Sequence, residues 1–234
     1  MPKLVFLDLE TTGLEANDRI CELALLEEVN IVYELCKSDK KIATQAMSLH
    51  HITNEMLKET PLCSETKTYK HLLSYNKEDS ILISHNSKFN LGMLAKEGFV
   101  NSMKIIDTMR CTKALIPECE MFNLQFLRYE LLLYKDEETL AKDLGLSLQA
   151  HRAFSDVLHT KLLYTSLLEY ATLSQLIQLS SNPILMDKFP FGKYNGRYIE
   201  EIVQMDKGYI SWLLENIQDM DEDLLYSIKH YIED

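Results

Sequence analysis

The 234-residue chain has no CxxC pair, and its five cysteines, Cys21, Cys36, Cys63, Cys111 and Cys119, are odd in number. That argues against a disulfide framework and a cysteine zinc site, and makes reduced thiols in the cytoplasm the expectation. No apolar run approaches the roughly 18 residues of a membrane-spanning helix, and the N-terminal MPKLVFLDLE lacks the layout of a signal peptide. Neither membrane insertion nor secretion is therefore expected. Basic residues are scarce, 24 against 36 acidic, for a formal net charge of −12. Long-range attraction to phosphate cannot come from such a protein as a whole; affinity for a polyanion would need bound metal and a local basic rim. Internal repeats and low-complexity tracts are absent as well. What is there, 46% apolar and 26% charged residues, is the composition of a folded globule: one domain, or a domain with an appendage.

The most informative stretch is KLVFLDLETTGL, Lys3 to Leu14, a buried strand broken by Thr-Thr-Gly. Side chains alternate along a strand that rises about 3.3 Å per residue, so Asp8 and Glu10 share a face roughly 6–7 Å apart. Two carboxylates on one face of a core strand repel each other and lose hydration, which a cation compensates. Hard oxygen ligands at a strand end suit Mg²⁺ or Mn²⁺, and two such ions about 3.5–4 Å apart drive phosphodiester hydrolysis. A strand end that simply surfaces would carry the same two acids, and this stretch alone leaves that reading open.

Further strands are predicted at Arg19–Glu28 and Asn30–Cys36, then a helix start at Thr53 and a helix over Thr66–Tyr75. Ser80–Ser84 and Lys104–Thr108 read as strands; Lys88–Glu97, Met109–Leu115, Asn123–Leu133, Glu137–Leu144 and Ala150–Tyr170 read as helices. This order predicts an α/β fold, a mixed sheet covered on both faces. The last of these helices carries Asp156, which its apolar face would bring to the strand end. His151 lies at the helix entrance, and an imidazole titrating near 6.5 suits proton transfer from a metal-bound water. A lone helical Asp is more often exposed, and His151 reads equally well as a surface histidine, so spacing leaves both open.

After residue 172 the character changes. Residues 173–188, with Ser180-Ser-Asn-Pro183, read as a linker, and 189–234 as a small α+β module. That module has a hairpin turn at Asn195-Gly196 and short helices over Tyr198–Met205 and Tyr209–Asn216. Residues 189–234 hold four basic and ten acidic side chains, a charge of −6. Lys193, Tyr194, Arg197 and Tyr198 could stack on unpaired bases or form the module's core.

Three segments resemble the motifs of DEDD-type 3′–5′ exonucleases of the histidine-bearing subgroup: DLETTGL (Asp8–Leu14), HNSKFN (His85–Asn90) and AHRAFSD (Ala150–Asp156). That subgroup includes exonuclease X, ribonuclease T and the proofreading subunit of bacterial replicative DNA polymerase. Leu49–Met56 and Ile106–Arg110 are similar to family segments in matching order, and residues 189–216 resemble the C-terminal module of exonuclease X-like proteins. The resemblance implies a ribonuclease H-like mixed sheet flanked by helices over residues 1–172. It also implies two divalent ions, Mg²⁺ or Mn²⁺, and release of nucleoside 5′-monophosphates from DNA 3′ ends in repair or proofreading. Asp8, Glu10 and Asp156 match its metal ligands and His151 its general base. Thr11, Thr12, Leu14, His85, Asn86 and Phe89 fall at positions that would touch substrate. The implied partner is a nucleic-acid 3′ end, chiefly single-stranded DNA, not a membrane; a protein partner stays open. One position departs: the second motif normally ends in Asp, and Asn90 offers a carbonyl oxygen without charge, implying a weakened or inactivated metal site. An RNA-trimming enzyme, and a degenerate domain that binds without cleaving, remain as alternatives.

Overall fold

The strands are β1 (Lys3–Thr11), β2 (Ile20–Glu27), β3 (Asn30–Leu35), β4 (Ser80–Ser84) and β5 (Lys104–Asp107). In the computed structural model, which describes residues 2–218 and 220–233, they form one sheet in the order β3-β2-β1-β4-β5. β1 pairs antiparallel with β2 and parallel with β4, so the strand that carries Asp8 and Glu10 sits at the centre. The expected mixed α/β sheet is thus observed. Helices α1 (Thr44–His50), α2 (Lys67–Tyr75), α3 (Ser87–Lys96), α4 (Thr108–Leu115), α5 (Leu124–Glu130), α6 (Tyr134–Asp143), α7 (Ala153–Leu167) and α8 (Leu173–Ser181) complete the first unit, which extends to Ser180.

The alternation of β1 assigns its two faces. Val5, Leu7 and Leu9 enter a core with Tyr69 and Leu72 of α2 and Met93 and Leu94 of α3. Phe6 enters the other, with Val157, Leu163 and Tyr164 of α7. Its ring meets Tyr164 edge-on at 5.5 Å. From Tyr164 back to Asp156 the helix covers about 12 Å, and from Phe6 to Glu10 the strand covers about 13 Å. Packing α7 on this face therefore carries Asp156 to the acids of β1. Asp107, at the end of β5, accepts N–H bonds from Asn86 and Ser87 at the start of α3 and from Met109 and Arg110 in α4. One buried carboxylate so satisfies the first turns of two helices.

Four expectations need correction. No helix begins at Thr53: residues 54–59 are turns closed by i→i−3 bonds, such as Met56 N–H to the Thr53 carbonyl, and the helix is the earlier α1. The long helix starts at Ala153, which leaves His151 outside it with φ of +56°. Residues 173–181 are α8, with Leu176 wholly buried in the α7-side core, so the linker does not begin at 173. The division between the two units, at Ser180/Ser181, falls inside the stretch read as a linker.

The fourth concerns the C-terminal unit, which is helical, not α+β: α9 (Ile199–Met205), α10 (Lys207–Asn216) and α11 (Glu222–Glu233), the last of them absent from the sequence reading. The expected hairpin turn returns the chain at Gly196, φ +78°, but only as the isolated bridge Lys188–Tyr198, because the helical run begins at Ile199. Phe189, Ile199, Ile202, Leu213, Leu224 and Ile228 form its own core. Lys193 and Tyr194 both donate to Asp206, whose other oxygen caps α10, so Tyr194 is partly committed to structure. Gly192 suits its place because its φ of +76° lies in the left-handed region that side chains rarely adopt. Among the described residues no helix is long and apolar enough to cross a membrane, and all five cysteines are free and buried.

Candidate active site

Asp8, Glu10 and Asp156 each offer a carboxylate oxygen, and these lie within 4.8 Å of one another. Such an arrangement has a cost. Burial, then Asp156, Glu10 and Glu22, raise the Asp8 carboxyl well above its ordinary value. Burial, then Asp156 and Glu22, push Glu10 up to about 9. An all-oxygen donor set that is destabilised as anions is what a hard divalent cation relieves, so the three residues fit Mg²⁺ or Mn²⁺. Asp156 Oδ1 also accepts from Gln125 Nε2 at 2.6 Å and lies 3.2 Å from His159 Nδ1.

A fourth carboxylate, missed in the sequence, stands beside the three. Glu22 is directly opposite Glu10 in the β1–β2 register, and the register shifts at the next pair, Thr11–Ile20. Its side chain is 0% exposed and is gripped by Arg152, with Nε 3.0 Å from Oε2 and Nη2 2.5 Å from Oε1. Glu22 also accepts the Ala153 N–H at 2.9 Å, the first residue of α7. The pair therefore ties the entrance of α7 to β2 and anchors the left-handed turn that carries His151. Arg152 also stacks over Phe154, 5.0 Å from its ring centroid. Its signal in sequence was only an acid in an apolar strand and a basic residue next to His151.

The side chains of the second motif are largely engaged in hydrogen bonds and packing of their own. Asn90 is 2% exposed on α3, and its Nδ2 donates to the His85 carbonyl at 3.2 Å. His85 has both ring nitrogens engaged, Nε2 with the Phe122 carbonyl at 2.8 Å and Nδ1 with the Thr108 hydroxyl at 3.0 Å. A carbonyl only accepts, so Nε2 carries the proton, and no ring nitrogen is left to meet substrate. Asn86 sits at φ +62° before α3, with its N–H on Asp107, and Phe89 packs against the core on the α2–α3 side. These two serve the junction between β4 and α3.

In the first motif, Thr11 donates to the Gly13 carbonyl, and Thr12 donates to Asp18 at 2.6 Å. Asp18, itself buried, also accepts the Glu15 N–H and pairs with Lys40. Gly13 is required here because a Cβ would lie 2.7 Å from the Asp18 carboxylate. The turn leaves Leu14 86% exposed, the one apolar side chain of this motif offered to solvent. The buried His50 braces the same segment: Nδ1 accepts the Ile52 N–H, so Nε2 donates to the Thr11 carbonyl at 3.2 Å.

A mixed sheet with carboxylates of its central strand and of a packed helix gathered at one point is the arrangement of a ribonuclease H-like fold. The model of the exonuclease family of the RNase T type matches residues 5–164, and the chain belongs to that family. Residues 189–218 match the exodeoxyribonuclease X-like C-terminal family. Over 237 residues the chain is 28% identical to Exodeoxyribonuclease 10 of Escherichia coli (strain K12), covering 98% of this chain and 99% of that one. It is 26% identical over 220 residues to the PolC-type DNA polymerase III of Staphylococcus aureus, 87% of this chain but 14% of the polymerase. Among solved structures, exonuclease X in complex with 5′ overhanging duplex DNA aligns with a TM-score of 0.55 and 22% identity. The alignment covers 76% of this chain and 99% of that chain. Escherichia coli exonuclease I in complex with a dA16 oligonucleotide gives 0.52 and 18%, over 76% and 42%. At these identities the solved structures speak for the fold, which is the one the motifs implied.

Proposed function

We propose that the chain is a two-metal-dependent 3′–5′ exodeoxyribonuclease releasing nucleoside 5′-monophosphates from DNA ends, in repair or proofreading. The observation that carries this reading is the approach of the Asp8, Glu10 and Asp156 carboxylates to within 4.8 Å. Similarity to Exodeoxyribonuclease 10 along nearly the whole chain supports DNA over RNA. Asp8, Glu10 and Asp156 hold the ions, turning a charge of −3 that repels phosphate into about +1 with two dications. Bound there, the ions supply an activated water and neutralise charge on the phosphate. His151 takes the proton of the attacking water, from a turn held by Arg152 and Glu22. Leu14 meets the terminal nucleotide, and the unit from Ser181 acts as an accessory module.

Asn90 supports a second reading. Its Nδ2 is spent on the His85 carbonyl, which leaves only an uncharged oxygen at the motif's fourth acidic position. The site would then be weakened, to the extreme of binding 3′ ends without cleaving them. One experiment tests both. Single-stranded DNA labelled at the 5′ end is incubated with the full chain and Mn²⁺, beside an RNA of the same sequence. A ladder shortening from the 3′ end, with mononucleotide release and preference for DNA, is expected. Internal cuts or shortening from the 5′ end refute the first reading; retention of the 3′ end without cleavage selects the second.

A further inference from the structure

Asp156 belongs to a closed ring of five side chains drawn from three helices. Its Oδ1 accepts from Gln125 Nε2 of α5 at 2.6 Å and faces Nδ1 of His159, one turn along α7, at 3.2 Å. His159 is 1% exposed, and its Nε2 lies 3.2 Å from Glu137 Oε2 of α6, out of line for a hydrogen bond. Glu137 is held by a two-pronged grip: Arg128 Nε and Nη2 each approach a carboxylate oxygen at 2.5 Å. Arg128 Nη1 returns to Gln125 Oε1 at 3.2 Å and closes the ring.

This ring answers a problem that the three carboxylates create. Asp8 and Glu10 repel Asp156, and a carboxylate on a helix turns freely about its last torsion unless something holds it. Two contacts, from Gln125 of α5 and His159 of α7, fall on the same oxygen, Oδ1, and restrain the rotation of the group. An ionised carboxylate only accepts, so His159 carries its proton on Nδ1 when it bonds Asp156. The ring's own acid, Glu137, is matched by Arg128 and so adds no net charge beside the site.

We propose that Gln125 and His159 are positioning residues that orient Asp156 for a divalent cation, and that Arg128, held by Glu137, fixes Gln125. This rests on the reading that Asp8, Glu10 and Asp156 hold metal. Groups that orient a metal ligand change affinity by roughly 10–100-fold when removed.

The test is calorimetric titration of Mn²⁺ into the full chain, with thermal melting in EDTA as the control for folding. Gln125→Ala and His159→Leu are expected to weaken Mn²⁺ binding by about tenfold or more while Gln125→Ala melts close to the parent. His159→Asn, whose amide sets a donor near the place of Nδ1, is expected to recover most of the affinity lost in His159→Leu. A purely structural role would lower melting in EDTA and leave Mn²⁺ affinity unchanged. Should His159→Leu fail to fold, Gln125→Ala, a partly exposed site, decides. Parental Mn²⁺ affinity in Gln125→Ala overturns the inference and leaves the nuclease reading standing; a parent chain that binds no Mn²⁺ overturns both.

Discussion

Replacing Asn90 by Asp separates the structural from the electrostatic consequences of the second motif. The two side chains are nearly the same size, so the 2% exposed pocket on α3 keeps its packing. The hydrogen bond does not survive: Nδ2 donates to the His85 carbonyl at 3.2 Å, and a carboxylate has no proton to offer. Leaving this partly buried carbonyl unmatched costs up to about 1–3 kcal/mol. At about 2–4 °C per kcal/mol for a domain of this size, the Asn90→Asp chain in EDTA melts several degrees lower. Divalent metal reverses the sign, because the new charge adds an anionic ligand where Asn supplies only a dipole. Two-metal chemistry depends on placing both ions for in-line displacement, so cleavage rises by at least about 10²-fold. Melting curves in EDTA and in Mn²⁺, beside single-turnover cleavage of a labelled oligonucleotide, read both effects. If Asn90→Asp cleaves no faster at saturating metal, the reasoning fails and Asn90 is no defect.

Four further outcomes are expected. Asp8 and Glu10 carry raised carboxyl pKa values, so the metal-free fold holds protons that the unfolded chain releases. Stability present below Glu10's ordinary 4.5 is then lost as pH rises towards about 9. Melting in EDTA should fall across that range and flatten in Mg²⁺, and equal slopes in the two would refute the cause given. His151→Ala should slow single-turnover cleavage by roughly 10²–10⁴-fold with oligonucleotide binding nearly unchanged; equal losses in both would make it a binding residue. Arg152→Ala strands the buried Glu22 charge and should cost about 3–5 kcal/mol in denaturant titration, with little recovery in Arg152→Lys, which lacks the planar fork. A chain ending at Pro183 should stay folded and bind Mn²⁺, because it keeps Ser180, whose hydroxyl accepts the Asp107 N–H at 2.8 Å. Insolubility of that chain would show that the two units share their stability.

The residues differ in how far apart their determinants lie along the chain, and that decides what could be read in advance. Asp8 and Glu10 share a face because alternation is local to one strand, and the apolar neighbours that make them costly are in the same twelve residues. Helices such as α2, capped by Thr66, and α3, ended before Gly98, carry their own signals for the same reason. Nothing local distinguishes the i→i−3 turns after Thr53 from a helix start, since the same capping residues serve both. Nor does local pattern show that Leu176 is buried in the first unit, which converts an expected linker into α8. The Glu22–Arg152 grip joins residues 130 positions apart, and the ring around Asp156 joins three helices. Both exist only because α5, α6 and α7 pack where they do, on one side of the sheet. Sequence by itself determined the class of fold, the three carboxylates and the departure at Asn90. Tertiary structure alone decided which residues steady them, because a buried charge takes as partner whatever side chain the packing brings within reach, however distant in the chain.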